Sequence, residues 1–273
     1  MFPITNAKRK LLTQFKKEVR AHYRKHGRSL PWRMHVTPYK VFVSEVMLQQ
    51  TQVDRVIPKY KEFIRTWPSF TALASASQAQ VVALWNGLGY NRRAQFLHKS
   101  AKIIVRDFKG KLPKDSKSLR VLPGIGTYTA GAIQAFAYNI PTIFIETNIR
   151  SAYLHFFFED KADIDDQELV PLIEQTLDRK NPREWYFALM DYGAWVKKEY
   201  GNPNIRSKQY VRQSAFKGSP REARGALLKL LISGKHNESL LLKKVQSPHT
   251  KKALRDLLKE GMVKKRGNYY LLT

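Results

Sequence analysis

Residues 122–130 read LPGIGTYTA, with Gly124 and Gly126 two positions apart, a proline before them and the helix-like run GAIQAFAY after them. Glycines let a backbone turn tightly and expose its N–H groups, and Thr127 or Thr129 can cap the helix that follows. Free N–H groups at a helix N-terminus attract an anion, and the missing Cβ atoms permit close approach. A nucleic-acid phosphate suits such a turn. So does a Schellman-type cap between two packed helices, which needs only one of the glycines. A phosphate anchor reads no base sequence, so chemistry has to come from other residues.

The rest of the chain favours the phosphate. Its 273 residues carry 49 Lys and Arg against 22 Asp and Glu, a formal charge of +27. A surplus of that size repels itself unless a polyanion is present, which ranks nucleic acid ahead of an anionic membrane surface or a merely solvated basic face. Residues 201–273 alone hold 17 basic and 4 acidic side chains. Residues 159–168, EDKADIDDQE, run the other way and read as a solvated acidic loop turned away from DNA. The chain has no cysteine, which excludes disulfides, a thiolate nucleophile and any cysteine-held zinc or iron–sulfur site. No stretch approaches the roughly 18 consecutive apolar residues of a membrane span. The first ten residues, MFPITNAKRK, lack the apolar core of a signal peptide. A cytoplasmic, nucleoid-associated monomer is the expectation.

Periodicity predicts an all-α body. Leu11, Leu12, Phe15, Val19 and Tyr23 recur at three- and four-residue spacing within 8–26. Further helices are expected over 38–51, 54–66, 78–86, 92–108, 129–138, 147–157, 166–178 and 182–199. Residues 1–202 would form this body and 203–219 a basic linker rich in Gly, Asn, Ser and Pro. Helices over 220–233, 238–245 and 248–260 then lead into MVKKRGNYYLL, where RGN between β-prone segments suggests a hairpin. Three short helices and a terminal hairpin look like a small winged-helix module over 220–273, basic enough to bind DNA.

Two acids stand out. Glu45, in PYKVFVSEVMLQQTQV, is flanked by Val41, Phe42, Val43, Val46, Met47 and Leu48. A carboxyl in such company has a raised pKa and can stay protonated near neutrality. The alternative is an exposed Glu on an amphipathic helix. Glu146, in IPTIFIETNIR, follows an apolar run and sits near a helix start, where an acid also serves as an N-terminal charge.

With these residues assembled, the chain resembles the helix-hairpin-helix DNA glycosylase superfamily that includes endonuclease III, and within it the MutY-type adenine DNA glycosylases. The segments that carry the likeness are LPWR (30–33), PYKVFVSEVMLQQTQVDRVIPKY (38–60), WNGLGYNRRAQFLHK (85–99), LPGIGTYTAGAI (122–133) and ALMDYGA (188–194). The resemblance implies a two-lobed helical glycosylase fold. It puts the adenine-protonating glutamate at Glu45 and a purine pocket at Trp32, Arg33, Leu48, Gln50 and Asp191. It puts a duplex-wedging tyrosine at Tyr90, beside Gln49 or Gln50. At Tyr128 relatives with lyase activity carry a lysine, whose amine forms a Schiff base. Tyrosine cannot do so, which implies base removal without strand cleavage.

Four features depart from the family pattern. Glu146 stands where the family has its catalytic aspartate, with the neighbouring Asn148 retained. The iron–sulfur cysteines are absent, and Lys197 occupies the place of the first. The long C-terminal domain of many MutY enzymes is replaced by the short basic module, and Asn91 follows Tyr90 where a second tyrosine is common. The implied partner is double-stranded DNA with a mispaired or damaged base. No cofactor is expected, a monovalent cation at the hairpin being the one ion left open. The implied reaction extrudes a mispaired adenine, protonates it from Glu45, and stabilises the cationic sugar with Glu146, which Tyr128 would position. Rival readings are a mismatch-specific thymine or uracil glycosylase, a non-catalytic mismatch binder, and a winged-helix regulator.

Overall fold

The computed structural model describes residues 6–273, so the signal-peptide reading of the first ten residues falls partly outside the described residues. Helix α1 (Asn6–His26) buries Leu12, Phe15 and Val19 on one face and ends in Arg24, Lys25 and His26, cations placed well at a helix C-terminus. Helix α2 (Pro38–Leu48) has hardly any exposed face, as expected of a helix apolar all round. Then come α3 (Val53–Thr66), α4 (Phe70–Ser75), α5 (Gln78–Trp85) and α6 (Arg92–Asp107). Helix α5 opens with a capping box in which Ser77 and Gln80 satisfy each other's backbone N–H groups. The short α7 (Ser116–Arg120) leads to the glycine turn and α8 (Thr127–Tyr138). Three further helices, α9 (Thr147–Phe157), α10 (Asp166–Thr176) and α11 (Pro182–Glu199), complete the helical body, followed by a 3₁₀ turn at Pro203–Arg206. The predicted helices recur within a few residues at each end. The two short ones, α4 and α7, are additions, being too brief to show a period.

The last part of the chain is the expected winged-helix-like module. It comprises α12 (Pro220–Ser233), β1 (His236–Asn237), α13 (Glu238–Lys244), α14 (Thr250–Lys259), β2 (Val263–Arg266) and β3 (Tyr269–Leu272). The strands form an antiparallel sheet in the order β1-β3-β2, with Arg266 opposite Tyr269 and His236 opposite Tyr270. Gly267 opens the two-residue hairpin loop at φ +56°, where a tight hairpin turn needs a positive φ.

Backbone contacts divide the chain into two compact units. The first comprises the chain through Val41, Lys114–Ser116 and Gly126–Arg212. Its core centres on Phe15, whose ring lies 4.8–6.3 Å from those of Tyr153, Phe156, Phe157, Trp185 and Tyr192. Helices α9 and α11 cross closely in it: a Cβ on Gly193 would lie 1.8 Å from the Asn148 carbonyl oxygen. The second comprises Phe42–Pro113, Lys117–Ile125 and Gln213–Thr273. There Phe42 packs edge-on against Phe70 and Phe63 against Trp67 and Trp85.

Two segments are more ordered than the sequence suggests. Residues 159–168 are no free acidic loop: Ile164 is fully buried and bridges to Ser207, Asp165 caps α10, and Asp166 pairs with Arg150 at 2.6 Å. Alternating apolar and acidic residues let one side of the segment pack while the other caps. The first half of the basic stretch after α11 is likewise held in place. Asn204 is buried and donates to the Thr147 carbonyl at 3.1 Å and to Ser151 Oγ at 2.6 Å, while Arg206 caps carbonyls at the end of α9.

Candidate active site and nucleic-acid interface

The glycine turn is built as its residues suggest, with one correction. The Ile125 N–H donates to the Leu122 carbonyl at 3.1 Å, and Gly124 lies at φ +79° with its Cα against Phe96, where a Cβ would come within 2.8 Å of the ring. Gly126 is the N-cap of α8 and has ordinary extended dihedrals, φ −87° and ψ −178°, with open space where a Cβ would stand. As a glycine, this N-cap offers the helix no side-chain hydrogen bond. Thr127 and Thr129 are its first and third residues, so neither takes the capping role expected of them. The helix therefore starts at a glycine that no internal contact requires.

Glu45 is 7% exposed on α2, among the buried Phe42, Val43, Val46 and Met47. The end of that helix is closed by Arg93 of α6. Its Nη1 donates to the carbonyls of Val46, Met47 and Gln49 at 3.0, 2.8 and 2.5 Å. Its Nη2 reaches Thr51 Oγ1 at 2.8 Å and the Gly89 carbonyl at 3.0 Å. One guanidinium thus satisfies orphan carbonyls of α2 and ties Gln49–Thr51 to the turn that carries Tyr90. Burial, with a smaller contribution from Arg55, pulls the Arg93 pKa down to about 10, still well above neutrality, against a raising influence of Tyr90. Gln50 and Tyr90 are non-glycine residues in left-handed backbone, at φ +54° and +47°, a strain that tends to gather at working sites. Leu48 ends α2 half-buried, and Gln49 Nε2 donates to the Gly124 carbonyl at 3.4 Å. The Tyr90 hydroxyl accepts from Arg221 Nη1 at 2.9 Å and from Gln213 Nε2.

In the first unit, Glu146 is the N-cap of α9 despite its length. Its two oxygens accept from Thr147 Oγ1 at 2.7 Å, the Asn148 N–H at 2.7 Å and Asn148 Nδ2 at 2.8 Å. Its backbone is extended, φ −121° and ψ 160°, and its carboxylate lies over the first turn of the helix. Tyr128 follows Thr127 in α8, its ring 5.8 Å from that of Phe144. Lys197 lies on α11 one turn beyond Gly193. Burial lowers its pKa, the Glu146 charge pulls it up, and Arg28 pushes it down.

Asp191 is 3% exposed and doubly gripped. Arg33 Nη1 and Nη2 each reach it at 2.8 Å, and the Arg28 backbone N–H and Nε at 2.8 and 2.7 Å. Burial pushes its carboxyl up, but the hydrogen bonds and charges of Arg33 and Arg28 outweigh that and hold it below its ordinary value. The Arg33 guanidinium also lies over Phe187 at 4.5 Å, and Trp32 beside it is buried.

The sequence-predicted residues therefore divide. Trp32, Arg33, Gly126, Thr127, Tyr128, Thr129, Glu146, Asn148 and Asp191 belong to the first unit, and Glu45, Leu48, Gln49, Gln50, Tyr90 and Gly124 to the second. Sequence reading missed Arg93, Arg28, Arg221 and Gln213. A signal existed for Arg93: it shares a helical stripe with Leu97, Ser100 and Ile104, so it falls on the core-facing side of α6. A cysteine-held iron–sulfur cluster does not fit this chain, which has no thiolate to offer. The Asn204 and Arg206 hydrogen bonds fasten the segment after α11 onto α9.

Comparison with known proteins bears on the same residues. A family model described as HhH-GPD superfamily base excision DNA repair protein matches residues 43–176. The adenine DNA glycosylase of Mycobacterium tuberculosis is 33% identical over 231 residues, 77% of this chain and 76% of that protein. That of Buchnera aphidicola is 36% identical over 179 residues, 64% of this chain and 50% of its own length. The human enzyme is 35% identical over 197 residues, 68% of this chain but only 36% of its own. The match thus spans half or less of some relatives. Among solved structures, a thermostable thymine-DNA glycosylase superposes with a TM-score of 0.63 at 22% identity, covering 69% of this chain and 88% of that one. A non-covalent endonuclease III–DNA complex superposes at 0.54 and 15% identity, covering 89% and 98%. The chain belongs to the HhH-GPD superfamily of base excision DNA repair proteins, and within it is similar to the adenine DNA glycosylases.

Proposed function

We propose that this protein is a DNA glycosylase that hydrolyses the N-glycosidic bond of an adenine flipped out of a mispair with guanine or 8-oxoguanine, without cutting the strand. The observation that carries the reading is the contrast between its two acids. Glu45 sits in an apolar helix with almost no solvent, the setting of a carboxyl that delivers a proton. Glu146 is held by three hydrogen bonds from its own first turn, the setting of a fixed carboxylate that stabilises developing positive charge.

In the forward reaction Glu45 protonates adenine N7. The C1′–N9 bond breaks with its electron pair going to the purine. The oxocarbenium-like sugar is stabilised by the Glu146 carboxylate, and water adds at C1′ with loss of a proton. Opening a mispair costs less than opening a Watson–Crick pair, which favours mispaired substrates. Tyr128 offers no amine for a Schiff base, so the product is an abasic site in an intact strand. The glycine turn and the basic surface would hold the backbone.

The test is single-turnover excision on duplexes with A opposite 8-oxoguanine, A opposite G, T opposite G and U opposite G, with strands cleaved by alkali afterwards. Adenine release that drops at least about a hundredfold in Glu45→Gln is the expected result. A faster Glu146→Asp variant would show that the longer side chain handicaps the reaction. Release of thymine or uracil alone would move the protein to a mismatch-pyrimidine activity. Binding without release by either protein would make it a reader of mispaired DNA.

A further inference from the structure

Tyr90 and the C-terminal module, separate features of the sequence, are joined in the structure. Arg221, the second residue of α12, donates Nη1 to the Tyr90 hydroxyl at 2.9 Å, and Gln213 Nε2 donates to the same oxygen. The Arg221 and Arg93 guanidinium groups each lie 5.6 Å from the Tyr90 ring centroid. Arg221 is itself locked, since Nη2 donates to the Ser214 carbonyl at 2.6 Å and to Ser214 Oγ at 3.3 Å. A second grip falls on the residues just after Tyr90. Glu260 pairs with Arg92 and with Arg224, and Gln95 Nε2 donates to the Glu260 carbonyl at 2.7 Å. Gln78 Nε2 donates to the neighbouring Gly261 carbonyl at 2.7 Å. Burial pushes the Glu260 carboxyl up, but hydrogen bonds and charge from Arg92 and Arg224 hold it below its ordinary value, so this anchor persists as a carboxylate at neutral pH.

We propose that the C-terminal module, together with the end of the linker that leads into it, is a brace for Tyr90: Arg221 of the module and Gln213 of the linker are positioning residues that hold the ring ready to enter the duplex, so that this part of the chain governs how far a mispair opens. The proposal rests on the glycosylase reading above. A half-buried tyrosine on a strained left-handed residue has little of its own to fix its side-chain rotamer. Two hydrogen bonds to its hydroxyl, one from a cation, supply that restraint before DNA arrives and remove the ordering cost from the opening step. The contacts reach the hydroxyl and not only the ring, so the phenol oxygen is the point of control.

The experiment uses the full chain and a duplex with 2-aminopurine opposite guanine, whose fluorescence rises when the base unstacks. Wild type at saturating concentration should raise it. Arg221→Ala and Tyr90→Phe should each cut that rise and slow single-turnover excision by about tenfold, the scale of one charge-assisted hydrogen bond. The double variant should be no worse than either single one, and Arg221→Lys should recover part of the loss, with melting temperatures unchanged throughout. The proposal is overturned if wild type produces no rise. It is also overturned if Arg221→Ala weakens binding and lowers its salt dependence while leaving the saturated rise intact, because Arg221 would then be an ordinary phosphate contact. The signal needs no bond cleavage, so the two readings fail separately. Opening without excision of any base sinks the glycosylase reading alone, whereas adenine excision with a brace-independent rise sinks only the brace.

Discussion

Gly124 and Gly126 are small for different reasons. Gly124 is needed by the protein: its φ is +79° and Phe96 fills the place of a Cβ. Gly126 is not, since its dihedrals suit any residue and its surroundings are open. Gly124→Ala should therefore cost about 1–3 kcal/mol of stability through strain and overpacking. Gly126→Ala should leave stability within about 0.5 kcal/mol yet weaken duplex binding, because the only thing its Cβ can obstruct comes from outside. Urea midpoints and a DNA titration of both variants decide this, and equal loss of stability would show that Gly126 is structural. The sequence shows two glycines and a turn, but not which of them meets the protein. That depends on Phe96, 28 positions earlier and on another helix. Glu146 was equally ambiguous, because whether a Glu caps depends on how its chain bends back, which spacing does not reveal.

At the scale of elements, α11 carries two dependencies. Gly193→Ala would drive a Cβ into the Asn148 carbonyl and push the first turn of α9 away. Asn148 supplies two of the three hydrogen bonds on Glu146, so activity should fall further than stability. Overpacking costs about 1–3 kcal/mol, while a displacement near 1 Å costs on the order of a hundredfold in rate. Denaturation beside single-turnover kinetics tests this, and a rate loss no larger than the unfolded fraction would refute it. Asp191 ties α11 to residues 28–33. Its folded pKa is depressed, so its stabilisation is full above the ordinary carboxylate value of about 4 and is lost as pH falls through the lower folded value. Asp191→Asn should cost about 3 kcal/mol at pH 7, leaving Arg33 buried without its partner, and should flatten the acid limb of the stability curve. Urea midpoints between pH 2.5 and 7 measure both effects, and an unchanged acid limb would exclude Asp191 as its source. The helices themselves were legible because their apolar residues recur at helical period. The ion pairs were not, since Arg28 and Asp191 lie 163 positions apart.

At the scale of the molecule, composition correctly pointed to a basic helical protein with a winged-helix-like end, because net charge and period are additive along the chain. The grouping of residues into units is not additive. Residues 213–273 pack with Phe42–Pro113 through Glu260, Gly261 and Arg221, and no local pattern announces such a pairing. That discontinuity has a consequence during synthesis. At about 5–20 residues per second, the stretch from position 107, where α6 ends, to position 260 takes on the order of ten to thirty seconds to make. Throughout that interval α5 and α6 wait on the ribosome without Glu260 and Gly261. The second unit is thus expected to close only after residues 260–273 have emerged, and a force-sensitive arrest peptide moved along the coding sequence should register its folding there and no earlier. The nascent chain must keep its middle third soluble until residues 260–273 are translated.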